Sequence, residues 1–374
     1  MEDLDPSKED SPRVLKVLKA LKQASHELQT HPSHKSHECN STAIKALLEL
    51  ENESDTILSK DPNLSALSQH LTDLKTLVES LQKSRGHSLR SFLSRRVSTH
   101  SISRIAGSIE SEIQAWIDRE SVEKLTQTLE DPLRDEGKLV AMLIQFEDRV
   151  SQGFNRELQD LVLKSKLFSL LESVLSNPNC SKRIREHSAF GIAALIQFNK
   201  DVFVGQVLMG PTVRVLIAMA STQSIEVLCS LIRSIKSPLV DEIESNGEIP
   251  KIISFLNWQD LQMRVLGMDC VLEIGYFGRK EAIEAMLKED LIKKLVELQR
   301  SELGGDLIDL GRHSEKENRE ASAGGFVGRR ESEGLRQRER RALKPEIVKR
   351  VREASISDAE AATIVAEVLW GSSP

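Results

Sequence analysis

NGEIPKIISFLNWQDLQMRVLGMDCVLEIG, residues 246–275, is the stretch whose reading decides the fold. Asn246-Gly247 reads as a turn, because Gly takes the positive φ needed where a preceding helix must stop. Ile249-Pro250 then opens a helix, since the missing N–H of proline belongs to a first-turn group with no intrahelical partner anyway. That helix carries Ile252, Ile253, Phe255 and Leu256, and the polar run Asn257 to Asp260 ends it. A longer helix follows with Leu261, Val265, Leu266, Met268, Leu272 and Ile274 at helical spacing.

The same pattern recurs on both sides at a period of about forty residues, the mark of a repeat architecture. Upstream, Gly210-Pro211 precede Val213, Val215, Leu216 and Met219, and Ser165 precedes Leu167, Leu170, Leu171 and Val174. Downstream, Ile292, Leu295, Val296 and Leu298 answer Ile249, Ile252, Ile253 and Phe255, with Asp290 standing where the pattern wants Gly. Long helices over Arg183–Ile196, Ser224–Lys236 and Leu261–Gly275 complete the modules, and short ones over Pro238–Ile243 and Ala282–Leu287 precede the turns. Each module therefore holds three helices. Burying one apolar side chain gains about 1.5–3 kcal/mol, while ordering a residue's backbone costs about 1–2 kcal/mol, so a lone module of five to seven apolar residues per helix does not stand alone. Stacking on neighbours is obligatory.

On these residues the chain resembles the armadillo repeat, clearest in residues 246–275 and weaker elsewhere between Ser165 and Gln299. End to end it is similar to the plant armadillo-repeat superfamily, and in particular to the relatives of plant U-box/armadillo proteins that lack a U-box. No segment has the Cys-Pro-Ile and Asp-Pro-Val pattern of a U-box, so ligase activity is not implied. The resemblance implies an all-α fold: an N-terminal helical bundle followed by an α-α superhelix, the armadillo-repeat solenoid.

Aromatics make up 4% of the 374 residues and charged residues 29%, which suits stacked helices built on Leu, Ile and Val. A net charge of −6 argues against a general nucleic-acid binder, which would show a basic excess. The acidic start, MEDLDPSKED, lacks an apolar core, so no secretory signal is expected. Val202–Ala220 is apolar but broken by Gln206, Pro211 and Arg214, which fits two repeat helices better than a transmembrane segment. The expectation is a chain of the cytoplasm, the nucleus or both. Cys39, Cys180, Cys229 and Cys270 are far apart with no CxxC pair and read as reduced core thiols.

Four regions are expected: 1–130 as the helical bundle, 131–302 as armadillo-like repeats, 303–333 as a disordered insertion rich in Gly, Ser, Glu and Arg, and 334–374 as C-terminal capping helices. Within the bundle, helices are expected from Pro12, from Thr42 to about Leu58, from Asp61-Pro62 to Leu81, and from Ile105 to Leu129. At the C-terminal end Pro345 should break or kink a helix, and Ser357 with Glu360 should form a capping box for the last one.

Two stretches of the N-terminal region carry side chains that chemistry could use. His31, His34, His37 and Cys39 are zinc-type donors, but in a short polar loop without finger spacing they read as a solvated linker. Arg85 to Arg104 holds Arg85, Arg90, Arg95, Arg96 and Arg104 among serines with no acid. Three readings stand: a loop and helix start within the bundle, a phosphorylation switch at Ser98 behind Arg95-Arg96, and peripheral contact with anionic lipid.

No GxxxxGK[ST], GxGxxG, GxSxG or HExxH occurs, so no enzyme, cofactor or metal is expected. His187 and Ser188 are adjacent and diverge by about 100° on a helix, which argues against a catalytic pair. The functional expectation is a protein-binding scaffold whose third helices line a concave groove and meet an extended peptide or helix. Arg185, Arg233, Asp269 and Glu273 are its partner-binding candidates, and their changing sign suggests a partner of mixed charge. The import-receptor form of the armadillo groove uses Trp and Asn ladders, whereas Trp116, Trp258 and Trp370 sit centrally on no such helix. The other reading, implied by the resemblance, is an adaptor or accessory subunit in ubiquitin ligation without its own U-box.

Overall fold

Leu89–Glu130 forms one helix, because no proline interrupts it and Leu89, Phe92, Leu93 and Val97 keep the helical spacing ahead of Ile105. In the computed structural model the described residues are 18–19, 22–23, 26, 65–83, 89–300 and 343–370. They divide into one unit of 1–126 with 155–165 and a second of 127–154 with 166–374.

In the first unit, α1 (Ser65–Lys83) buries Leu67, Leu71 and Leu74 at i, i+4, i+7. Leu89–Glu130, α2, buries Ala106, Ile109, Ile113, Trp116, Val122 and Leu125 on one stripe. The start of the helix expected from Ile105 thus differs while its end agrees: the Ser/Arg stretch from residue 89 onward is already helix. Asp118, buried on α2, accepts a hydrogen bond from Gln114 Nε2 at 2.6 Å, which satisfies a carboxylate otherwise costly to bury. The helices expected from Pro12 and over Thr42–Leu58 fall mostly or wholly outside the described residues, as does the insertion 303–333.

The second unit begins with α3 (Glu136–Ser151), capped by Asp135, whose side chain accepts from the Lys138 N–H at 3.0 Å. After α4 (Arg156–Lys164), which is grouped with the first unit, come α5 (Leu167–Ser176) and α6 (Lys182–Phe198). The next module is α7 (Lys200–Met209), α8 (Thr212–Met219) and α9 (Thr222–Ile235). The one after it is α10 (Ser237–Ser245), α11 (Ile249–Ser254) with a 3-10 turn at Phe255–Asn257, and α12 (Leu261–Phe277). Then follow α13 (Lys280–Lys288) and α14 (Leu291–Arg300), a helical stretch over 343–354, and α15 (Asp358–Trp370).

Within this unit like helices pack on like. The long third helices form a row, α3 on α6, α6 on α9 and α9 on α12, while α7, α10 and α13 form a second row and α5 packs on α8. Among the described residues there is no strand. The chain is an all-α repeat fold, with three helices to the module in the order the sequence predicts.

The turns show how the sequence sets this order. Gly247 takes φ 66°, as expected of a glycine closing α10. Asp290 takes φ 53° at the same place in the next module, and Lys166 takes φ 53° in the earlier one, beside the Ser165 expected there. Gly210 does not need its freedom of φ, which is −90°; a Cβ there would collide with the Glu172 carboxylate, which accepts from the Thr212 hydroxyl at 2.6 Å. At the C-terminal end the described residues 343–354 are helical through Pro345, so the expected break does not occur there. The Glu360 N–H donates to Ser357 Oγ at 3.2 Å as a capping box requires, while the Glu360 carboxylate accepts from the Ile356 N–H at 2.8 Å.

Candidate partner-binding face

The row of third helices is tied together on its solvent side by polar side chains. On α9 the outward positions Gln223, Glu226, Ser230 and Arg233 follow a 3-4-3 spacing, the exposed face of a helix whose Ile225, Leu228 and Ile232 are buried. On α12 the matching face carries Asp269, Leu272, Glu273 and Tyr276. Gln197 Nε2 of α6 donates to Ser230 Oγ at 3.2 Å. Arg233 Nε donates to Glu273 Oε1 at 2.9 Å, and Arg233 Nη2 lies 3.7 Å from Asp269 Oδ2.

These links follow the repeat. Arg233 and Glu273 are 40 residues apart, as are Glu172 and Thr212, and Ser237, whose hydroxyl donates to the Phe277 carbonyl at 2.8 Å. A residue thus meets its counterpart one module on.

The two acids of the cluster lie at unequal distances from its arginine. Burial draws the Arg233 guanidinium down, but its hydrogen bond to Glu273 and the surrounding negative charge outweigh this and hold it above its usual value. Asp269 is raised chiefly by burial, which outweighs the opposing pull of Arg233, and Glu273 adds a smaller push upward. The two directions agree with the distances. Arg233 stands nearer Glu273, at 2.9 Å, than Asp269, at 3.7 Å. Further along the row, burial and then Asp148 and Glu226 raise the Glu147 carboxyl on α3.

On the same face as Asp269 stand two exposed apolar side chains, Leu272 at 62% and Tyr276 at 61% exposure. The Tyr276 ring meets Phe277 edge-on at 4.8 Å. Leu272 and Tyr276 lie one turn apart on the face that also carries Asp269 and Glu273. Sequence reasoning placed Leu272 in the apolar stripe and missed its exposure; the missing signal is that Cys270, Val271 and Ile274 already fill the buried side of α12.

The structure brings Arg233, Asp269 and Glu273 together and engages Arg185 elsewhere. Its Nε donates to the Leu175 carbonyl at 2.8 Å, satisfying the C-terminal end of α5. Ser98 lies in α2, and its side chain is outside the described residues, as are His31, His34, His37 and Cys39. Ser188 is fully buried while His187 faces Phe190 at 6.2 Å between ring centres, so the two do not form a pair. Among the described residues no single helix is long and apolar enough to cross a membrane. Helices α7 and α8 reach that composition only together, bent by 68°, with Phe203, Val207, Val213 and Leu216 buried.

No protein-family model matches the chain, and no curated protein matches it. Among solved structures it is similar to a designed armadillo repeat protein, at 18% identity and a TM-score of 0.40 over 65% of this chain and 97% of that one. It is also similar to an engineered protein, at 15% identity and a TM-score of 0.45 over 67% of this chain and 95% of that one. A second engineered protein covers 96% of this chain and 98% of its own, at 14% identity and a TM-score of 0.43. The repeat assignment rests on this chain's own helix order and packing.

Proposed function

We propose that this chain is a non-enzymatic protein-binding scaffold, and that its third helices receive an extended peptide or a helix from a partner protein. The observation that carries this reading is the pairing of Leu272 and Tyr276, exposed one turn apart, with Asp269, a carboxylate whose neighbouring cation stands nearer Glu273. A partner presenting an apolar residue with a Lys or Arg beside it satisfies both: the apolar side chain covers Leu272 and Tyr276, and the cation takes the spare acceptors of Asp269. Acidic Glu147 and Glu226 extend the same preference along the row.

The test is proximity labelling with the full chain in cells, repeated with Asp269→Ala, Arg233→Ala, Glu273→Ala and the double change Leu272→Ala/Tyr276→Ala. Loss of one common set of labelled proteins in the double variant and in Asp269→Ala, at unchanged Tm, supports the reading. Labelling that survives every change moves the site off these helices. Recovery of ubiquitin-ligation components within the lost set would make the partner a ligase, with this chain its adaptor.

A further inference from the structure

Beneath the polar cluster the same two helices carry a pair of thiols. Cys229 of α9 and Cys270 of α12 face each other with Sγ to Sγ at 2.7 Å, 41 residues apart in sequence and on the third helices of neighbouring modules. Both are buried, at 2% and 0% exposure, and both are free thiols. Two sulfurs without a bond between them rest farther apart than this, and the pair stands within about 0.7 Å of the bonded S–S distance of about 2.05 Å. Cys229 precedes Arg233 by one turn, and Cys270 adjoins Asp269.

We propose that Cys229 and Cys270 are a modification site: they form a reversible disulfide that fastens the third helices of adjacent modules, with a low-molecular-weight disulfide of the glutathione class as oxidant. The inference goes beyond the partner-binding reading and holds whether or not that face binds anything. When the helices part locally, the Cys229 thiolate attacks one sulfur of the small disulfide. Its S–S bond breaks, a mixed disulfide forms on Cys229, and one small thiolate leaves. The Cys270 thiolate then attacks the Cys229 sulfur, closing the Cys229–Cys270 bond and releasing the second small thiolate. The pair gives up two electrons to the small disulfide, and the two cysteine protons end on the released thiols or in solvent. Burial holds the Cys270 thiol well above its usual range, with Arg233 only partly opposing. The exchange is therefore slow and gated by local opening, and the product, once closed, is shielded from small thiols in the same way.

The experiment incubates the reduced full chain with oxidised glutathione for a day at 37 °C, blocks the remaining thiols, and maps disulfides by mass spectrometry before and after reduction. The expected result is a linked peptide pair containing Cys229 and Cys270, with Cys39 and Cys180 still alkylated. Closing a loop of about forty residues raises Tm on the order of 5–10 °C, reversed by dithiothreitol. Cys229→Ala and Cys270→Ala each abolish the linked pair and the reversible Tm rise. Absence of the linked pair in the unsubstituted chain overturns the proposal, whether the thiols stay free, carry glutathione singly or pair with Cys39 or Cys180. Because the mapping is made on the unsubstituted chain, misfolding of either variant does not alter the outcome.

Discussion

Gly267→Ala and Gly275→Ala make the same chemical change on the same helix and should act in opposite directions. In an exposed helix interior, Gly to Ala stabilises by about 0.8–1.0 kcal/mol, because glycine loses more backbone entropy on folding. At Gly267 a Cβ would stand 2.9 Å from Phe255 Cβ, 3.4 Å from the Phe255 carbonyl carbon and 3.6 Å from Leu256 N. Carbon pairs rest at about 3.5–4.0 Å, and none of these atoms is the tip of a flexible side chain. Helix α12 must therefore back away from the 3-10 turn that closes α11, and overpacking of this kind costs about 1–3 kcal/mol. A 2.9 Å approach to unyielding atoms puts the cost at the upper end of that range, about 2–3 kcal/mol; less the entropy gain, Gly267→Ala should lose about 1–2 kcal/mol, a fall in Tm of about 2–6 °C. At Gly275 the added methyl meets only Met286 Cε, at 3.8 Å, an ordinary contact with a mobile thioether end. There the entropy gain stands, and Tm should rise by about 1–3 °C. Urea titration and calorimetry at pH 7 on both variants measure the difference. If Gly267→Ala proves as stable as the parent chain, or if both variants shift the same way, the close approach of α12 to the turn is not what the geometry says.

Ser221→Ala should destabilise by about 1–2 kcal/mol in urea, because Ser221 Oγ accepts from the Ser224 N–H at 3.1 Å and Ser224 Oγ returns a bond from the Ser221 N–H at 3.0 Å, both buried. Lys236 is held at φ 69°, ψ −135°, where a side chain is strained; Lys236→Gly should therefore raise the urea midpoint, corresponding to about 1 kcal/mol. Glu147 has its folded pKa raised by burial, then by Asp148 and Glu226. A raised carboxyl contributes stability that is present below its unfolded pKa and is lost as pH rises through the folded value. Glu147→Gln should accordingly melt higher than the parent chain at pH 7, and the two curves should converge below about pH 4.

Residues 246–275 were enough to foretell the module, because its punctuation is local. Gly247 at its left-handed turn, Pro250 in a first turn and the polar run before Leu261 each constrain the backbone within a few residues. Local rules also placed the short helices before the turns and the Ser357 cap. Where they fell short, a longer-range effect decided. The Ser/Arg stretch was read as a loop and helix start, with the long helix expected only from Ile105; no breaker stands from Leu89 onward, and the helix begins there. Arg185 was put on the binding face by exclusion from the apolar stripe, which cannot tell an outward arginine from one turned back onto the Leu175 carbonyl. The pairing of Cys229 with Cys270 was legible in principle, since 41 residues is one module. Reading the cysteines for CxxC spacing hid it, because the relevant distance in a repeat is the period and not the local gap.

The cross-links between neighbouring modules also set how a fault would spread. Gln197 to Ser230, Glu172 to Thr212, Arg233 to Glu273 and Ser237 to Phe277 each join one layer to the next and reach no farther. A lesion in one layer is therefore felt by its immediate neighbours and fades beyond them, as in a pile of plates where each bears only on the two it touches. Such a chain can lose order in a single storey while the storeys two removed keep theirs.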